Sequence, residues 1–426
     1  MNATAIDSTV MDTDCCIVGG GPAGVVLSFL LARQGVSVVL LEAHKNFDRD
    51  WRGDTIHPLT LELMEALGLV DRLLEIPHPK IEKLTIGPVV YADFSRLPTR
   101  YPYLTNIPQV SFLELIVSEA KQYPNFQVLM GTNAQELIRE GETIGGVRYR
   151  KDEVWYEVRA PLTVGADGRA SHLRELTGLN VNVLTASPPM DVVSFRLPKR
   201  AGDPAPNVRF GKGYMLVWFE GTNHWLFRYL FPKGGYQKIR QAGLDTMKQS
   251  IADLIPELAD RLDCLSDWTD LSFLSVQSSR LPRWYRSGLL LIGDAAHTMS
   301  PVGGVGINYA IQDAVVAANI LTEPLKAKQL QIDHLHQVQQ QRELPTRAIQ
   351  LYQSIFQEGI SSKLDPNPKI PFRFLLLFFL PLALPLLGGQ YAKFIAYLTG
   401  FGIRPARLKC PSPEPIINDQ ATAQSI

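Results

Sequence analysis

The sequence predicts an α/β protein in which a parallel α/β lobe is interleaved with a mostly antiparallel β lobe and followed by C-terminal helices. Three observations carry this. A β–α–β pattern occupies residues 14–44, aromatic and β-branched residues alternate over 189–232, and an apolar run ending in Gly293-Asp294 resumes the first pattern.

In DCCIVGGGPAGVVLSFLLARQGVSVVLLEAH, the apolar run Cys15–Val18 meets a glycine turn. A helix-compatible stretch follows to Arg33, Gly35 stops it, and a second β-branched run ends in Glu42. Leu59, Leu63, Met64, Leu67 and Val70 predict a helix within 54–76, with Gly68 near its end. A strand-like stretch covers 81–96. Ser111–Tyr123 reads as helix, ended by Pro124-Asn125. Strands fill 126–164, turning at Glu140-Gly141-Glu142 and near Lys151-Asp152. After the antiparallel region come a helix over 241–262, a strand at 288–292 and a helix over 304–321, with Pro324 beyond. The expected division is a first lobe of 1–80, 101–180 and 286–345, a second of 81–100 and 181–285, and a C-terminal helical segment, 346–426.

Lysine plus arginine equals aspartate plus glutamate at 42 each, so no net field attracts nucleic acid or another polyanion. Four cysteines in 426 residues make no disulfide framework, and the adjacent Cys15 and Cys16 read as buried hydrophobes in a reducing cytoplasm. The opening MNATAIDSTVMDTD carries no apolar core of a signal peptide. FRFLLLFFLPLALPLL, residues 372–387, falls short of the roughly 20 residues of a spanning helix. It also contains Arg373, Pro381 and Pro385. It is expected to cap the body or to dip into a membrane surface as a peripheral contact.

Three motifs carry chemistry. In Gly19-Gly20-Gly21-Pro22-Ala23-Gly24, Gly19 permits the tight turn, Gly21 lets the backbone approach a pyrophosphate, and Gly24 allows close helix–strand packing. Free N–H groups at the helix start suit phosphates, and Glu42, with Ala43 after it, is placed to accept from a ribose 2′-hydroxyl. A carboxylate there repels a 2′-phosphate, so the tight ligand is FAD or NAD. This is a Rossmann-like unit. Val164-Gly165-Ala166-Asp167-Gly168-Arg169, with Ser171 and Arg174, puts an acid at a strand end, although Asp-Gly is also an ordinary turn pair. In GDAAHTMSPVGGVGIN, Gly293-Asp294 repeats that arrangement, and the glycine loop before the next helix offers backbone donors.

In this order the motifs resemble those of the class A flavoprotein monooxygenases, which share the fold of para-hydroxybenzoate hydroxylase. The resemblance runs over residues 13 to about 345. It implies that Asp294, after Gly293, binds ribityl hydroxyls of FAD. It also implies that Gly303, Gly304, Val305, Gly306, Ile307 and Asn308 lie against the isoalloxazine, with Pro301 where oxygen reacts. Asp167 is implied to serve the pyrophosphate and a transient NAD(P)H. Arg52, in DRDWRGDTIHP, is implied to contact FAD and sense the pyridine nucleotide, and Gln109 to lie near the FAD phosphates. Val305 stands where the family often has glutamine. The implied activity is hydroxylation of a hydrophobic aromatic, quinone or polyketide-like substrate by NAD(P)H and dioxygen through a flavin C4a-hydroperoxide.

Met190, Phe195, Arg196, Phe210, Tyr214, Trp218, Trp225, Phe227 and Tyr229 are candidates for a substrate wall, although alternating aromatics also build sheet cores. His57 is a candidate catalytic residue beside the substrate. His297 reads as a packing element. Few charges in these segments point to a neutral, lipophilic small molecule. The alternatives are an FAD-dependent reductase or epoxidase of an isoprenoid-like substrate, or a flavin-binding cyclase with structural FAD. A halogenase is disfavoured, since no W-x-W-x-I-P stretch is present.

Overall fold

The computed structural model describes residues 9–48, 54–86, 89–183, 189–204, 206–221, 223–364 and 385–409. Arg52 lies outside these residues, as do most of 372–387 and all of its side chains.

The centre is a sheet ordered Tyr285–Arg286, Leu289–Leu291, Leu162–Gly165, Cys15–Val18, Val38–Glu42, Phe126–Met130, parallel apart from its first pair. Cys15–Val18 and Val38–Glu42 are buried throughout, as expected for parallel strands covered on both faces. Helix Pro22–Arg33 is buried from Ala23 to Ala32 and packs between the sheet and helix Gly306–Lys326. Because the strands are parallel, their carboxyl ends lie together. The turns after Val18, Gly165 and Leu291 therefore share one edge.

The interruption is the expected antiparallel sheet, ordered Asn207–Phe210, Met215–Glu220, His224–Pro232, Met190–Pro198, Ser272–Leu274. The turns at 140–142 and 151–152 join a third sheet, which gains Thr9–Asp12 as a parallel edge strand. That strand was not expected from its polar sequence; pairing with Val154–Arg159 creates it.

Other boundaries move for physical reasons. The 54–76 helix divides at Gly68 into Pro58–Ala66 and Val70–Glu75. The 304–321 helix begins at Gly306 and continues through Pro324 to Lys326, because its long apolar face is buried on helix Pro22–Arg33. The boundary proposed at 345/346 falls inside one helix, Ile332–Leu364, which contains Pro345. Among the described residues no helix is long and apolar enough to cross a membrane.

Candidate active site

The glycine turn fits a pyrophosphate. A Cβ on Gly24 would sit 2.0 Å from the Gly19 carbonyl, and one on Gly19, at φ +107°, 2.4 Å from the Ala166 carbonyl. At Gly21 the nearest such atom is 3.9 Å away, so the turn is closed toward protein and open on its other side. No side chain caps the helix that begins at Pro22, which leaves its first N–H groups for a ligand. Glu42 is 2% exposed; its Oε2 accepts from Gly20 N–H at 2.7 Å and its Oε1 from His44 N–H at 2.9 Å. His44 Nδ1 also lies 2.7 Å from Oε1, so Glu42 ties the glycine turn to the end of the second parallel strand. Ala43 beside it is exposed, and Ala23 is buried in the helix's first turn.

Asp167 works locally: Oδ1 accepts from Ser171 Oγ at 2.5 Å and Oδ2 from Leu173 N–H at 3.0 Å, ordering the start of helix His172–Thr177. Its neighbour Arg169 reaches the third motif, with Nε 3.0 Å from Asp294 Oδ2, and Arg174 donates to the Ala295 carbonyl at 3.0 Å. Gln109 starts helix Gln109–Ala120, and its N–H lies 3.4 Å from Asp54 Oδ1.

Below Gly293-Asp294 lies a buried charged network that sequence reasoning missed. Asp313 is fully buried; Oδ2 accepts from Gly293 N–H at 3.0 Å and lies 2.6 Å from His297 Nε2, while Oδ1 accepts from Arg342 Nε at 2.8 Å. Burial works to raise the Asp313 pKa, but His297 and Arg342 outweigh it and hold it below its usual value. The available signal was a charged residue inside the apolar stretch INYAIQDAVVAA, where an acid is almost never buried unpaired.

In the last loop Gly303 and Gly304 have φ +77° and +61°, and a Cβ on Gly304 would lie 3.0 Å from Thr55. Pro301 is exposed, Gly303, Gly304, Gly306 and Ile307 are half-buried, and Val305 and Asn308 are buried. Asn308 spends its whole amide on protein. Oδ1 accepts from His57 N–H and Thr60 Oγ1, and Nδ2 donates to the Thr55 and Gly304 carbonyls. Val305 packs with Met299, Tyr309, Ile349 and Leu398, so a long polar glutamine has no place there in this chain. His57 is fully buried, and its Nδ1 lies 2.7 Å from the Thr399 carbonyl, which can only accept. Burial lowers its pKa to about 4, against the backbone of Thr399 and Gly303, so the ring is neutral near pH 7.

The β lobe divides its candidates by register. Phe195, Trp218, Trp225, Phe227 and Tyr229 face helix Leu244–Leu254, with Tyr214 packed beside them, and form sheet core. Met190 and Phe210 take the opposite side, in a cluster that includes Val302. Arg228 pairs with Ser194, two residues from Arg196, and alternation turns all three away from the Phe195–Phe227 face. Arg228 is pulled down to about 10 by burial and interacts with Asp54 across the lobes and with Arg196. Charge therefore enters a face where the sequence suggested little.

These features define a flavoprotein of the dinucleotide-binding class, with its glycine turn and Gly293-Asp294 at one edge of the α/β sheet. The model of the FAD binding domain family matches residues 12–348, and the chain belongs to that family and to the class A FAD-dependent monooxygenases. It is an FAD-dependent oxidoreductase. It is 35% identical over 323 residues to a 6-methylpretetramide 4-monooxygenase of Streptomyces rimosus, covering 75% of this chain and 77% of that one. It is 27% identical over 330 residues to the pentachlorophenol 4-monooxygenase of Sphingobium chlorophenolicum, covering 71% and 57%. An anhydrotetracycline hydroxylase structure from Streptomyces rimosus superposes with a TM-score of 0.72 at 22% identity over 92% of this chain and 76% of that one, a likeness of fold.

Proposed function

We propose that the protein hydroxylates an aromatic or polyketide-like substrate, using NAD(P)H and dioxygen. The observation that carries this is convergence. The open turn at Gly21 and the Arg169–Asp294 pair follow parallel strands at one sheet edge, and the loop Pro301–Gly306 beyond them packs through Val302 on the sheet face that carries Met190 and Arg228. In this reading Gly19–Gly24 and Glu42 hold the pyrophosphate and ribose of FAD, and Asp294 the ribityl chain. Gln109 serves the phosphate side, and Arg52 contacts FAD and senses the pyridine nucleotide. The loop with Pro301 faces the isoalloxazine, and Asn308 and His57 shape that loop without touching the reacting atoms. Bound flavin supplies the redox chemistry that passes reducing equivalents to dioxygen. The chain's own residues orient the ring and exclude water.

The substrate is a lipophilic aromatic or polyketide-like molecule with an acidic oxygen. Its apolar body packs near Met190, Phe210 and Val302, and Arg228 faces its oxygen. The assignment is tested by anaerobic reduction of the yellow holoenzyme with NADH and NADPH, with and without phenolic and polyketide aromatics, followed by turnover under labelled dioxygen. Faster flavin bleaching with substrate and one labelled oxygen in the product are expected. Bleaching by neither nucleotide sinks the reading.

A further inference from the structure

The loop Pro301–Gly306 is held from a direction that none of the glycine motifs indicates. Helix Pro385–Gly400 ends against it. Leu398 shares an apolar cluster with Val305 and Tyr309, and a Cβ on Gly303 would meet Val305 Cγ1 at 3.4 Å and Thr399 Cγ2 at 3.5 Å. The Thr399 carbonyl accepts from His57 Nδ1 at 2.7 Å, and the His57 ring also faces the backbone of Gly303. His57 N–H then donates to Asn308 Oδ1 at 3.0 Å. Gly400 adds a close approach to Pro58, and Gly402 one to the Tyr309 hydroxyl.

A loop with two successive left-handed glycines has little intrinsic preference for one shape, so its form must be imposed by neighbours. Asn308 imposes it from the Thr55–Thr60 side. The end of the C-terminal helix imposes it from the other, with the neutral His57 ring between them. This helix lies beyond residue 348, outside the stretch that matches the family. It also accounts for Val305: the loop residue turns into the helix's apolar end.

We propose that the C-terminal helix is part of the flavin site, with Leu398, Thr399 and His57 as positioning residues that set the loop against the isoalloxazine while leaving the pyrophosphate anchor independent of it. The inference rests on the reading that this loop faces the flavin ring. The test uses the full-length holoenzyme and reads FAD affinity, flavin fluorescence and quenching by iodide in His57→Leu, Leu398→Ala, His57→Asn and Gly304→Ala.

His57→Leu and the milder Leu398→Ala are expected to keep FAD affinity within about threefold, because the cradle at Gly19–Gly24 is untouched. Their flavin fluorescence and iodide access rise several-fold. His57→Asn, whose amide can donate to Thr399, restores values near wild type, which a merely structural loss does not predict. The proposal is overturned if His57→Leu and Leu398→Ala fold with wild-type fluorescence and quenching while Gly304→Ala disturbs both. Silence from Gly304→Ala as well overturns the loop reading, and the proposal with it.

Discussion

Arg169 Nε lies 3.0 Å from Asp294 Oδ2, an ion pair that joins the second and third motifs across 125 residues of sequence. Both side chains are about one-third exposed, at 34% and 30%, so the pair adds little to folding, in the range of 0–1 kcal/mol typical of exposed pairs. On the proposed function, its weight falls on the orientation of Asp294 toward FAD.

Arg169→Ala is therefore expected to leave the Tm nearly unchanged while weakening FAD by about tenfold, or roughly 1.4 kcal/mol. Fluorescence titration of apoprotein measures this. An unchanged affinity removes the orienting role.

Gly24→Ala sets a Cβ 2.0 Å from the Gly19 carbonyl. The helix and turn must separate, an overpacking cost of about 1–3 kcal/mol. Loss of FAD should exceed loss of stability, as read by titration alongside thermal melting.

Arg342→Leu leaves buried Asp313 with His297 and the Gly293 N–H but without its guanidinium partner. Breaking one partner of a buried pair costs about 3–5 kcal/mol. Denaturant melts should show it, and a drop below about 1 kcal/mol would remove the structural role assigned to this network.

His57 gives a pH signature. Its pKa is lowered from 6.5 to about 4 by burial, so the unfolded chain binds the proton more readily. Stability therefore falls as pH drops from 6.5 toward 4, by on the order of 3 kcal/mol at full protonation of the unfolded state. Asp313, held below its usual value, adds a loss only at lower pH, beneath about 3.9. His57→Asn should flatten the slope between pH 6.5 and 4 in urea melts, and an unaltered slope contradicts the assignment.

Arg228→Leu is expected to raise KM for substrates with an acidic oxygen by about tenfold or more, with a smaller change for neutral analogues. Steady-state kinetics over paired substrates decides it, and equal effects on both remove charge recognition.

The parallel lobe, its glycine turn, the late Gly-Asp motif and the antiparallel interruption were legible because each is a local pattern. A turn demands glycine, and a covered strand demands an unbroken apolar run. Thr9–Asp12 was hidden because polar edge strands are made by their partners. The helix through Pro345 was hidden because burial overrides a local breaker.

The sequence by itself determined that a glycine turn and two later acids, Asp167 and Asp294, follow strands of one parallel sheet. The tertiary structure alone decided which face of the β sheet meets that edge, turning Phe195 inward and Arg228 toward Asp54. It also placed Leu398 and Thr399 against a loop almost a hundred residues away, where Val305 had looked like a missing glutamine. Strand register and long-range burial depend on what each residue is packed against, and no window of sequence contains that partner.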